Sequence, residues 1–161
     1  MRDQSQIVPA FEKQFEPAIS RPAAQPAEFG GHRLEISVVF TSPEFTLTAL
    51  RRAATLAGNL GAYITLIVPQ VVPFPLPLTS PPVLLDFQEA RLREIASNTP
   101  VETLVRIYLC RSRWELLQTV LEPHSLVVLG ARMQWSWLTH ERRLARKLRR
   151  VGHEVVMAEM G

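Results

Sequence analysis

Apolar residues follow two alternating rhythms from residue 34 onward. Short continuous runs read as buried strands: "LEISVVFT" (34–41), "AYITLIV" (62–68), "VETLVRIYLC" (101–110), "SLVVLG" (125–130) and "HEVVMAE" (153–159). Longer segments between them carry apolar residues three or four apart. In "PEFTLTALRRAATLAGNLG" (43–61), Leu47, Leu50, Ala54, Leu56 and Ala57 supply one face, Pro43 suits the first turn, and Gly58 or Gly61 ends the helix. "VLLDFQEARLREIASN" (83–98) predicts a second helix. "RWELLQTVLE" (113–122) predicts a third, capped by Ser112 and stopped by Pro123. "LTHERRLARKLRRVG" (138–152), with Thr139 as its cap, predicts a fourth. "PQVVPFPLPLTSPP" (69–82) holds six prolines and predicts a loop. Strands and helices in strict alternation predict an α/β fold with a doubly wound, five-stranded parallel sheet.

Residues 1–33 break the rhythm. They hold Pro9, Pro17, Pro22 and Pro26, and "RPAAQPAEFGG" reads as an extended linker. Ile7, Phe11, Phe15 and Ile19 recur every four residues, which predicts a short helix over 9–16. The chain therefore divides into a proline-rich N-terminal arm (1–33) and an α/β domain (34–161).

Composition changes this picture in two places. The formal charge is +3 over 161 residues, but residues 131–161 alone carry seven basic and three acidic groups, so the C-terminal fifth accounts for the whole excess. The one cysteine, Cys110, excludes an internal disulfide and fits a reducing, cytoplasmic compartment. The first 30 residues lack the continuous apolar core of a signal peptide. The nearest thing to a membrane span, 62–78, has four prolines from residue 69 on, which argues against a membrane-spanning helix.

The element order and the residues together resemble the universal stress proteins. "ISVVFTSPEFTLTALRRAATLAGNLGAYITLIV" looks like that family's opening, with an alanine- and leucine-rich helix ending in an "LGA" turn. "SLVVLGARM" and "RRLARKLRRVGHEVVMAE" are similar to its last strand-helix-strand. The resemblance covers residues 34–158. It implies a flavodoxin-like, adenine-nucleotide-hydrolase-like sheet of order 3-2-1-4-5, with a ligand crevice at the carboxyl ends of strands one and four. It also implies a homodimer through the last strand, "EVVMA".

The crevice residues depart from the family's nucleotide-binding pattern. Thr41 stands where an aspartate ends strand one, followed by Ser42. Pro69 stands near the adenine-facing position and has no N–H. Gly130 matches the first glycine of the phosphate loop, but Met133 replaces the second, and the third falls near Glu141 and Arg142. Methionine closes off the positive φ and close approach that converging backbone N–H groups need. Thr41, Ser42, Gly130 and Arg132 thus mark a degenerate crevice, and no cofactor is expected.

The remaining chemistry lies in surfaces. Arg142, Arg143, Arg146 and Arg150 cover one side of the basic helix, and Trp135 and Trp137 precede it, a pairing common in binding hot spots. Phe74 alternates with prolines in a loop that suits either a partner contact or a cover for the crevice. His32, His124, His140 and His153 lack metal-ligand spacing, so no metal is expected. Neither a nucleophile elbow nor a P-loop is present. The expected function is that of a non-enzymatic accessory or regulatory subunit. Ile7, Phe11 and Phe15 would anchor it to a larger protein complex, with the Trp135–Arg150 face as a second contact, either in the cytoplasm or at the cytoplasmic face of a membrane complex. Two alternatives remain: a nucleotide-binding (ATP/AMP) stress-response protein with a degenerate loop, and a peripheral membrane or polyanion binder. No nucleic-acid-binding module is recognisable, so nucleic acid is not an expected partner.

Overall fold

The computed structural model describes residues 7–16, 33–79, 85–133 and 139–160. Its elements run β1 (Ile7–Phe15), β2 (Glu35–Val39), α1 (Pro43–Leu60), β3 (Tyr63–Val71), α2 (Leu85–Ser97), β4 (Thr103–Cys110), α3 (Arg113–Val120), β5 (Leu126–Arg132), α4 (His140–Arg150) and β6 (Glu154–Met160). They form a six-stranded sheet of order β1-β4-β3-β2-β5-β6. All neighbouring strands are parallel except β1, which runs antiparallel to β4.

The strands read as unbroken apolar runs because helices cover both sheet faces. One face packs Ile36, Val38, Ile64, Leu66, Val68, Val105 and Ile107 against Ala49, Leu50 and Ala53 of α1 and Leu92 and Ile95 of α2. The other packs Val39, Ile67, Val127 and Leu129 against Leu117 of α3 and Ala145 and Leu148 of α4. Both caps named from sequence, Ser112 and Thr139, form, and Ser42 caps α1 in the same way. Ser42, Ser112 and Thr139 each accept a hydrogen bond from the backbone N–H three residues on. Gly61 ends α1 in the left-handed region, at φ 65°.

Two expectations are corrected. The stretch predicted as an arm helix over 9–16 is strand β1, so the sheet has six strands and not five. A spacing of four residues is also a multiple of the strand period of two. Phe11 and Phe15 therefore share a face in a strand as well, and both pack against the first core cluster. Pro9 sits where the β1–β4 register shifts, between Pro9 and Phe11. Edge strands and bulges are the places that tolerate a proline. The second correction concerns the loop expected from residue 69, because β3 continues through Pro69 to Val71. β2 pairs with β3 only as far as Val39↔Ile67, and Phe40 N donates to Ile67 O. Pro69 follows two residues later and points its missing N–H to the same side, beyond the end of β2. No ladder bond is lost there.

The helices differ in reach. At about 1.5 Å per residue, the eight residues of α3 span about 12 Å, while the nine of β3 span about 30 Å. The second sheet face is therefore uncovered near the starts of β2, β3 and β4, where its side chains turn polar: Glu35, Ser37, Tyr63, Thr65 and Arg106.

Candidate functional site

The crevice expected from sequence is occupied by the fold itself. Thr41 N donates to Thr46 Oγ1 at 3.3 Å, and Ser42 Oγ accepts from Phe45 N at 3.3 Å. Thr41 through its backbone N–H and Ser42 through its hydroxyl help start α1, while the buried Thr41 hydroxyl has no hydrogen-bond partner among the described residues. Gly130 lies under the same turn: a Cβ added to it would sit 1.8 Å from the Phe45 carbonyl oxygen. The glycine lets the first turn of α1 rest directly on β5, which accounts for it without any phosphate. Arg132, by contrast, is an exposed residue at the end of β5, separate from these three. Trp135 and Trp137 lie outside the described residues.

The proline-rich loop is pinned at its start. Arg111 Nη1 donates to the carbonyls of Val72 at 2.9 Å and Leu76 at 2.8 Å. Its guanidinium lies 4.0 Å from the centroid of the Phe74 ring. Phe74 remains 76% exposed, so one ring face is held by arginine and the rest meets solvent. The segment predicted to anchor a partner is placed differently. Phe11 and Phe15 contribute to the chain's own core, and Ile7 is half-buried opposite Cys110.

Helix α4 carries six cations and one carboxylate, Glu141, in eleven residues. Ala145 and Leu148 are buried, whereas Arg143, Arg146, Lys147, Arg149 and Arg150 are exposed. Arg143, Lys147 and Arg150 stand one turn apart and form a stripe. Some of this charge is used internally. Arg142 pairs with Glu159 at 3.0 Å, Arg149 Nη2 donates to Val155 O at 3.0 Å, and Lys147 lies over the Trp114 ring at 5.4 Å. Cations in the last turn also suit the helix dipole.

The uncovered part of the second sheet face holds a cleft of about 480 Å³. Arg33, Glu35, Ser37, Tyr63, Thr65, Ile67 and Arg106 line it from the sheet side, and Val120, Glu122 and Ser125 from the end of α3. Arg33 is ion-paired with Glu102, and Tyr63 Oη donates to Glu35 Oε2 at 3.2 Å. Burial, reinforced by the Glu35 carboxylate, raises the Tyr63 pKa above its ordinary value. Thr65 is 1% exposed, and its hydroxyl has no hydrogen-bond partner among the described residues. Arg106 Nε is ion-paired with Glu12 Oε2 at 3.2 Å. Sequence reading missed this site. Its residues come from β2, β3, β4 and the α3–β5 connection, and each alone reads as an ordinary strand or loop position. The one available signal was polar residues, Ser37 and Thr65, inside otherwise apolar runs.

Two histidines placed apart by sequence meet at the edge of this region. His153 Nδ1 lies 3.0 Å from Ser125 Oγ, and His124 Nδ1 lies 3.1 Å from Gly152 O. Serine and histidine at this distance are the first two parts of a nucleophilic pair, but no carboxylate is bonded to the ring among the described residues. Burial, and then the charge of His124, lowers the His153 pKa below its ordinary value. The neutral ring is favoured in the folded state, so the unfolded chain binds more protons between the folded pKa and the unfolded value of about 6.5. Stability is expected to be highest above that value and to fall as pH drops through this window. His153→Gln should flatten that dependence, as read from urea midpoints at pH 7.5 and 5. An unchanged slope would assign the dependence to other groups. No group of three or more His, Cys, Asp or Glu able to hold a metal occurs among the described residues.

None of the described helices is long and apolar enough to cross a membrane. Comparison with known proteins gives no relative: no family model, no curated protein and no solved structure matches the chain.

Proposed function

We propose that this chain is a non-enzymatic accessory subunit, similar in design to the universal stress proteins, that docks on an acidic surface of a larger protein through α4. The observation that supports this is the α4 stripe. Arg143, Lys147 and Arg150 stand exposed on a helix whose buried side needs only Ala145 and Leu148. Such a surface raises encounter rates with a negative partner and selects against positive ones. The crevice adds support. Ser42 caps α1 and Gly130 seats its first turn on β5, so neither needs a nucleotide phosphate to account for it. The arm is removed from the reading as an anchor, because Phe11 and Phe15 are half-buried in the domain itself.

The test is cross-linking in native lysate at low and high salt. The wild-type chain is expected to give salt-sensitive cross-links from Lys147 to an acidic segment of one stoichiometric partner. Arg143→Glu with Arg150→Glu is expected to weaken that association at least roughly tenfold while leaving the unfolding midpoint nearly unchanged. A chain that migrates free in low-salt lysate would defeat the reading. Equal retention on vesicles rich in phosphatidylserine would transfer the same stripe to a membrane surface.

A further inference from the structure

The cations of α4 stand beside an apolar shelf, and the two together select what can lie on them. Resting on the reading of α4 as the docking element, we propose that the partner's element is an amphipathic helix carrying a carboxylate stripe next to an apolar one. At about 100° per residue, Arg143, Lys147 and Arg150 form an outward ridge opposite the buried Ala145 and Leu148. The two flanks of this ridge differ. On one, Arg142 pairs with Glu159 and Arg149 donates to Val155 O, so that side is tied to β6. On the other, Leu144 and Val151 share the side of Lys147, whose ammonium lies over the Trp114 ring of α3 at 5.4 Å. Leu144 and Trp114 are half-buried against one core cluster, and Val151 is 48% exposed.

Charge and spacing decide the occupant. The ridge rises about 6 Å from Arg143 to Lys147 and about 4.5 Å more to Arg150, as carboxylates at i, i+4 and i+7 of a second helix do. Exposed ion pairs are individually weak. Contact with the shelf therefore separates ligands of equal charge. Arg143 and Arg150 are each followed directly by a shelf residue, so ridge and shelf are neighbouring stripes. A helix offers neighbouring stripes of this kind. In a strand, successive side chains point about 180° apart, so one that gave carboxylates to the ridge would turn its apolar residues away. A bilayer is a poorer match. A helix lying in a membrane buries its apolar face with cations at the rim, whereas here the cations crown α4 and the apolar residues sit below them.

The test is fluorescence anisotropy of labelled peptides, about 20 residues long on an alanine-rich helical background, titrated with the full chain. The first carries glutamates at i, i+4 and i+7 with leucines in the adjoining stripe. The second has the same composition with the glutamates spread around the helix, and the third is the first with two central prolines. The first is expected to bind at least about fivefold tighter than the other two, and more weakly as salt rises. Val151→Ser is expected to weaken it about threefold, and Val151→Leu to bind at least as well as the wild type. Arg143→Glu with Arg150→Glu should abolish binding while the unfolding midpoint stays in place. The proposal is overturned if the first peptide does not bind, if the scattered or proline peptide binds equally well, or if phosphatidylserine vesicles displace the first peptide. Any of these, alongside salt-sensitive Lys147 cross-links in lysate, would leave the accessory-subunit reading standing and remove only the helix. A chain that binds the first peptide but migrates free in lysate would do the reverse.

Discussion

Gly130→Ala is expected to cost about 3 kcal/mol of stability, a large effect for a single methyl group. The added Cβ would lie 1.8 Å from the Phe45 carbonyl oxygen and 2.5 Å from its carbonyl carbon. Both belong to the backbone of the first turn of α1, so no side-chain rotation relieves the overlap. Either α1 shifts as a body or β5 bends. α1 is tied to the sheet by Ala49, Ala53 and Ala57, each almost fully buried, and so has little freedom to move. Gly58→Ala is the contrasting change. A Cβ there meets nothing within 4 Å, and alanine is favoured over glycine in a helix by up to about 1 kcal/mol. Urea unfolding of the two variants should move the midpoint in opposite directions. A loss below about 1 kcal/mol for Gly130→Ala would mean that close approach is not why glycine stands there.

The second large effect is expected in the N-terminal strand. Replacing Phe11 and Phe15 together by alanine should lower stability by about 3 kcal/mol. Fully buried phenylalanines lose about 3–5 kcal/mol each, and these two are half-buried. Both pack on the cluster that includes Ile107 and Val105. Loosening β1 would also uncover the backbone edge of β4 from Thr103 to Cys110, an open edge prone to pairing with another chain. The double variant should therefore also form dimers or larger species at high concentration, visible by light scattering. If it unfolded at the wild-type midpoint and stayed monodisperse, β1 would not be part of the cooperative unit, and the arm would return as a candidate partner anchor.

Much of the fold was legible because its signals are local. A β-branched run such as "ISVV" and a cap such as Ser112 act within a few residues, and both keep their meaning in the folded chain. The same holds for α4, whose basic face is set by spacing alone. Gly130 was legible as special but not in its purpose. A glycine after a parallel strand serves a phosphate or a packed helix equally well, and only the position of Phe45 distinguishes them. Helix and strand could not be separated for Ile7, Phe11 and Phe15, since a four-residue spacing satisfies both periods. The free edge of β4 decided for the strand.

The sequence by itself determined the type and order of the elements from residue 34 onward, the Ser112 and Thr139 helix caps and the position of the basic helix. These depend on periodicity and on hydrogen bonds three residues long. The tertiary structure decided what residues far apart in the chain do together. It recruited β1 as a sixth strand, closed the α1–β5 crevice around a glycine, and brought His124 to His153. It also left the cleft of Arg106, Thr65, Glu35 and Glu122 open beneath a helix too short to cover the sheet. The physical reason is common to all of these. Pairing and packing depend on where distant segments meet, and a one-dimensional pattern records only what each segment offers.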